Sequence, residues 1–319
     1  MAIDGFSPTH CAESAVVLVN GVPGGEMVLI RDALVHSLNT PVVLLEPGAG
    51  TVSVDPLDGV LEVDGRRVRP VVVWARHASA AAVAARGGHT VLDAVSWAGL
   101  LTFLTASAHT ALPGSAPAGP GQLADAGRLG VRVPRTVVTT DPAAAARRIG
   151  AARTVVKTQD FRLYETDRRR WDDCLPRLTT GADNAADDLP GGRPVIVQEY
   201  VVHDRELRVY YLDGGVCAFE IGKPGPSSMW TDPGGVTVTR VDCPPGAARA
   251  VRVLCIAWRL RFGAFDLLVA PGGELVFLEV NPDGDWLWFE RKARWHGVSF
   301  MAAVMVRELF IRGTGSSRR

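Results

Sequence analysis

The chain has 319 residues, enough for two or three lobes, and 47% hydrophobic with 21% charged residues excludes a disordered chain. Its 34 basic residues balance 34 acidic ones, so no net field draws the protein to nucleic acid or to an anionic membrane. No run approaches the roughly 18–20 uninterrupted apolar residues of a membrane helix.

Residues 1–115 read as an α/β domain. The run AVVLVN at 15–20 predicts a strand, Gly21 to Gly25 a turn, and the spacing of EMVLIRDALVHSL at 26–38 a helix. PVVLL at 41–45 is a second strand, 52–68 a hairpin turned by VDG at 63–65, and PVVVW at 70–74 a buried strand. Strands alternating with helices imply a parallel sheet. A helix follows over 91–111, and PGSAPAGPG at 113–121 marks an exposed linker.

Residues 116–202 open with a short helix from Gln122 to Leu129, closed by Gly130. After a strand at 134–138, Asp141 and Pro142 start an alanine-rich helix as N-cap and first-turn proline. TVVKT at 154–158 is a strand carrying Lys157, the polar stretch 160–193 is a loop with one short helix, and PVIVQEYVV at 194–202 is a strand. Residues 203–319 supply strands at 206–211 and 216–221, a turn-rich loop at 224–235 and an amphipathic helix at 247–262. A hairpin of 263–270 and 274–281 turns around 271–273, and a last helix covers 299–311.

That hairpin carries the strongest chemical signal. Glu279 and Asn281, two apart in a strand, project to one face, and the turn brings Asp266 opposite them. Two carboxylates and an amide make an oxygen-only ligand set that suits Mg²⁺. Taken singly, each acid also reads as an edge charge or an arginine partner. Gln198 and Glu199 end an apolar strand whose backbone can pair with an adenine edge, Glu206 can accept from ribose hydroxyls, and Arg208 can neutralise phosphate. The same segment also reads as a solvated strand end. Lys157 either points a compact cation into a phosphate site or snorkels from its sheet. GVPGG at 21–25 either cradles an anion or is a tight turn, and no GxxxxGK[ST] or GxGxxG occurs.

Cys11, Cys174, Cys217, Cys243 and Cys255 are scattered and form no CxxC pair, which argues against a disulfide framework or a zinc site. Cys217 and Cys255 lie in apolar runs as small core residues. His203 and His296 read as surface or packing residues. Met1 to Cys11 lacks the pattern of a secretion signal, so the expected location is the cytoplasm.

Taken in order, VVKT, VQEYV, ELR, DLLV and FLEVNP resemble the nucleotide and metal motifs of the ATP-grasp ligases. The resemblance implies an N-terminal parallel α/β pre-ATP-grasp domain followed by two α+β lobes that clasp ATP. It implies nucleotide contacts from Lys157, Gln198, Glu199, Tyr200, Val201 and Glu206, and magnesium on Asp266, Glu279 and Asn281. Catalytic charge neutralisation would come from Arg208, Lys157 and Arg240. LEVNPDGDWLW, with Trp286 and Trp288, and VVVWARH at 71–77 are similar to the maturases of microviridin-type peptides, the graspetides. Trp286, Trp288 and Trp295 either line a substrate groove or close the last helix onto the sheet.

Three departures stand out. Gly119 or a neighbour occupies the place of the usual phosphate-binding lysine. No central glycine-rich loop is evident between Lys157 and Asp188. SMWTDP at 228–233 stands where an aspartate–tryptophan–arginine element is expected, with Arg240 as its substitute.

The implied reaction is ATP-dependent ligation through an acyl phosphate, forming ω-ester or ω-amide cross-links in a precursor peptide. A free-standing ligase for a small carboxylate and amine, of the ribosomal-protein glutamate ligase type, is the alternative. A non-catalytic nucleotide-binding protein is the third reading. A homodimer is left open.

Overall fold

The structure, a computed structural model, describes residues 12–21, 25–46, 50–78, 91–158, 175–180 and 192–316. It divides into two compact units, Met1–Leu112 with Ala302–Arg319, and Pro113–Met301. The last helix, expected within the third segment, thus joins the first unit from Ala302 onward.

The first unit is built on strands β1 (Glu13–Asn20), β2 (Val42–Leu45), β3 (Val52–Val54), β4 (Leu61–Val63), β5 (Arg66–Arg76) and β6 (Thr110–Leu112). They form one sheet in the order β2-β1-β5-β4-β3, with β6 on the far part of β5. β1 runs parallel to β2 and β5, and β5 parallel to β6, whereas β3, β4 and β5 form an antiparallel meander. The expected hairpin and the PVVVW strand are therefore one continuous element, because Asp64 and Gly65, both at positive φ, turn β4 directly into β5. Ala15, Val17, Val19 and Val73 pack with Leu101 and Leu104 of helix α2 (Val91–Ser107). Met27, Ile30 and Leu34 bury the inner stripe of α1 (Glu26–Asp32) and its π-helical continuation Ala33–Ser37.

The second unit holds two antiparallel sheets. The first takes β7 (Thr136–Thr139), β8 (Arg153–Lys157), β9 (Arg177–Thr180) and β10 (Val195–Glu199) in the order β7-β10-β8-β9. Helix α4 (Pro142–Ile149) covers it with Ala145, Ala146 and Ile149, after α3 (Gly121–Arg128) has opened the unit. The Asp141 side chain accepts from the Ala144 amide at 2.9 Å, as the sequence predicts, and Gly150 closes the helix in the left-handed region. β9 corrects the loop expected there: Arg177 to Thr180 is polar but for Leu178, and among the described residues it pairs with β8 alone. The rest of that stretch, 159–174 and 181–191, lies outside the described residues, and so does any glycine-rich loop within it.

The other sheet takes β11 (Arg205–Leu212), β12 (Gly215–Gly222), β13 (Thr237–Val241), β14 (Phe262–Val269) and β15 (Leu275–Asn281), in the order β13-β12-β11-β14-β15. Leu207, Val209, Phe265, Leu267 and Phe277 face α6 (Pro245–Ala257), whose Val251, Leu254 and Cys255 fill the same core with Leu123 and Ala126 of α3. Gln122 of α3 fastens this layer: its Nε2 donates to the Val280 carbonyl at 3.0 Å and its Oε1 accepts from the Val280 amide at 2.8 Å. The short helices α5 (Ser228–Thr231) and α7 (Leu287–Ala293) precede α8 (Gly297–Ser316).

Candidate active site

Strand alternation sends the residues between those core positions to the opposite face. Glu206 and Arg208 leave β11 there, Asp266 leaves β14, and Glu279 and Asn281 leave β15, all lining one cleft of about 380 Å³. Arg208 stands opposite Asp266 in register, and Asp266 stands opposite Glu279. A bulge follows that pair, since Leu267 already faces Phe277, so Leu278 is the extra residue and turns into the cleft beside Glu279. The facing sheet contributes Lys157, Gln198 and Glu199, and the strap after β10 contributes Tyr200, Val201 and His203.

Asp266, Glu279 and Glu206 each meet a cation that lines the same cleft. Arg208 Nη1 donates to Asp266 Oδ1 at 2.9 Å and Oδ2 at 2.8 Å. Lys157 Nζ donates to Glu279 Oε2 at 3.0 Å, and Lys223 Nζ lies 2.6 Å from Glu206 Oε1. Burial pushes the Asp266 carboxyl above the usual carboxylate range, which Arg208 partly offsets and the Glu279 charge reinforces. The Lys157 ammonium pulls Glu279 below that range, against its own desolvation. The two facing carboxylates are thereby held at different proton affinities. Asn281 Oδ1 accepts from the Asp283 amide at 2.9 Å, which fixes its carboxamide at the strand end.

The strap is held from behind. The amides of Glu199 and Tyr200 donate to the carbonyls of Arg135 at 2.8 Å and Arg153 at 3.0 Å. The Glu199 carboxylate is drawn to Arg135, the Gln198 amide donates to Thr136 Oγ1 at 3.0 Å, and the Arg153 guanidinium stacks 4.2 Å from the centre of the Tyr200 ring. The side chains of Gln198 and Glu199 are therefore tied to neighbouring protein groups. Val201, Leu268 and Leu278 provide the apolar floor. His203 Nδ1 meets the Val201 carbonyl at 2.8 Å.

Of the residues singled out by sequence, Lys157, Gln198, Glu199, Tyr200, Val201, Glu206, Arg208, Asp266, Glu279 and Asn281 share this cleft. Arg240 does not. It pairs with Asp242 at 2.7 Å and stacks 5.4 Å from the Trp295 ring, because β13 lies at the far margin of the sheet. Lys223, Met229 and Trp230 line the cleft and were not singled out. Lys223 was legible by counting: the Asp213–Gly214 turn sets Glu206 opposite Ile221, and Lys223 is two residues further on the same face. The three tryptophans separate. Trp286 is fully buried and donates to Ser299 Oγ at 3.0 Å, Trp288 lines the cleft, and Trp295 packs on Phe219.

A second cavity of about 390 Å³ adjoins the first and shares Lys157, Leu278, Glu279 and Asn281 with it. Residues Ala116 to Pro120 of the linker, Gly119 among them, line it as well. In the first unit, Gly21 follows β1 where an added Cβ would fall 1.4 Å from the His77 carbonyl oxygen, and its amide donates to the Arg76 carbonyl at 2.8 Å. Residues 22–24 of GVPGG lie outside the described residues.

No protein-family model and no curated protein matches the sequence. Solved structures do match. The ATP-grasp ligase PsnB, complexed with a phosphomimetic variant of its minimal precursor, Mg and ADP, aligns with a TM-score of 0.71 at 19% identity over 93% of this chain and 99% of its own. The macrocyclase MdnC of Microcystis aeruginosa MRC, bound with the precursor peptide MdnA, aligns at 0.69 and 18% identity over 92% and 99%. A RiPP-associated ATP-grasp ligase of Chryseobacterium gregarium, in complex with ADP and a leader and core peptide, aligns at 0.67 and 18% identity over 93% and 97%. This chain has the ATP-grasp fold.

Proposed function

We propose that the protein is an ATP-dependent carboxylate ligase that forms ω-ester or ω-amide cross-links in a ribosomal precursor peptide. The observation that carries this reading is the register pairing of Asp266 with Glu279, each carboxylate matched to a cation of the same cleft. The match to ligases solved with ADP, Mg and precursor peptides supports it. ATP supply places the reaction in the cytoplasm.

The donor set fits Mg²⁺, since the Asp266 and Glu279 carboxylates supply oxygen and Asn281 Oδ1 keeps a second lone pair beside the one that takes the Asp283 amide. When bound, the metal supplies neutralisation of phosphate charge. The strap backbone at Glu199–Val201 takes the adenine edge and Glu206 the ribose. Lys157 and Arg208 release their carboxylates and meet the anionic oxygens instead. A carboxylate oxygen of the peptide then attacks the terminal phosphorus of ATP, and the bond to ADP breaks. A peptide hydroxyl or amine next attacks the acyl carbon, loses its proton and expels inorganic phosphate. The residues contribute alignment and fixed charge, the main terms in phosphoryl transfer.

Mass spectrometry of a precursor peptide encoded beside this protein and co-expressed with it tests the reading. Loss of one water mass per cross-link is expected, together with ADP release that Asp266→Ala abolishes. Unchanged peptide mass with every adjacent candidate, and ADP release indifferent to Asp266→Ala, would overturn it.

A further inference from the structure

Three carboxylate–cation pairs stand in the cleft, and two of them belong to the metal-side residues. The third pair, Lys223 with Glu206, has no part in that account. Its Nζ–Oε1 separation is 2.6 Å, and the side chains are only 14% and 12% exposed. Glu206 sits near the start of β11 and Lys223 immediately after β12, so the contact joins the ends of two neighbouring strands within the cleft lining.

A carboxylate this deep is costly without a counter-charge. Lys223 supplies it, and by engaging Oε1 it also fixes the rotamer. The other oxygen of Glu206 is then held at one orientation, in a cleft whose floor of Val201, Leu268 and Leu278 suits a planar base. We propose that Lys223 is a positioning residue for the nucleotide sugar: it clamps Glu206 so that the carboxylate accepts from a ribose hydroxyl, and so makes the site select ribonucleotides over deoxyribonucleotides. This rests on the nucleotide reading of the cleft given above.

The chemistry is directional. A carboxylate accepts hydrogen bonds and a ribose hydroxyl donates one, so a sugar lacking that hydroxyl leaves the oxygen without its partner. The Lys223 ammonium makes no hydrogen bond to the sugar in this arrangement; it acts through Glu206. Arg208 cannot replace it, since it pairs with Asp266 in the free protein and turns to phosphate when nucleotide is bound. Without Lys223 the Glu206 side chain turns toward water, and the distinction between sugars is lost.

The test is calorimetric binding of ADP, 2′-deoxy-ADP and 3′-deoxy-ADP with Mg²⁺ to the full-length wild-type protein and to Lys223→Gln and Lys223→Arg. Wild type should prefer ADP over at least one deoxy analogue by about tenfold. Lys223→Gln should bring that ratio close to one by weakening ADP alone, and Lys223→Arg should restore most of it. Equal weakening of all three ligands in Lys223→Gln, an unchanged ratio, or no preference in wild type overturns the proposal while leaving the ligase reading standing. Absence of any ADP binding by wild type overturns both.

Discussion

Arg208 and Asp266 stand opposite each other on β11 and β14, and a single guanidinium nitrogen reaches both carboxylate oxygens, at 2.9 and 2.8 Å. The pair is mostly buried, so removing one member leaves the other charged without compensation. Arg208→Met should destabilise the protein by about 3 kcal/mol. The double variant Arg208→Met with Asp266→Leu should lose clearly less than the two single losses together, because neither charge is left behind. Urea denaturation of the four proteins measures the coupling, and strict additivity would contradict this account.

Lys157 occupies Glu279 in the nucleotide-free protein, and its charge lowers the affinity of that carboxylate for a proton. The same charge repels a divalent ion. Lys157→Met should therefore raise the affinity of the nucleotide-free protein for Mn²⁺ several-fold while lowering its affinity for ADP about tenfold, a cost of ~1.4 kcal/mol. Electron paramagnetic resonance follows the metal and calorimetry the nucleotide. A fall in both affinities would contradict the charge-exchange picture.

Burial pushes the Cys217 thiol up to about 12 from its ordinary value of 9.0 and raises Cys255 and Cys243 as well. Cys217 and Cys255 keep their protons at neutral pH, in agreement with their reading as core residues. Native protein treated with iodoacetamide at pH 8 should carry no label on Cys217 or Cys255, whereas unfolded protein should be labelled at both. The sign of the linked stability follows. The folded thiols keep their protons above pH 9.0 where the unfolded ones lose theirs, so stability is full below that pH and falls as pH rises toward about 12. Denaturation midpoints that rise over that interval would be inconsistent with this burial.

Arg240 pairs with Asp242 and stacks on Trp295, away from the cleft. Arg240→Ala should leave ADP affinity and ADP release within about twofold of wild type, as surface changes commonly do. A tenfold loss of turnover at unchanged stability would return Arg240 to the catalytic set.

The facing acids of the last hairpin were legible only in part. The period of two puts Glu279 and Asn281 on one face, but regular pairing onward from Leu267 and Phe277 would set Asp266 opposite Leu278; the bulge at Leu278 is what aligns Asp266 with Glu279, and nothing in FLEVN distinguishes a regular strand from one with an inserted residue. β9 was missed because RLTT lacks the β-branched apolar run of a central strand, and a partner on one side only tolerates polar residues. Arg240 was misplaced for a different reason. An order of motifs along the chain says which strand a residue occupies but not how far that strand lies from the cleft.

Gln122 gives the metal-bearing strand something its sheet does not. β15 is the last strand of its sheet, and the backbone groups on its outer side are of the kind that recruit a foreign chain. The Gln122 carboxamide answers the donor and the acceptor of Val280, and the Arg132 carbonyl takes the Phe277 amide at 2.8 Å. With that border closed, an extended peptide cannot join the sheet there by adding itself as a further strand. Any segment delivered to Glu279 and Asn281 has to approach over the open face and offer its side chain rather than its backbone.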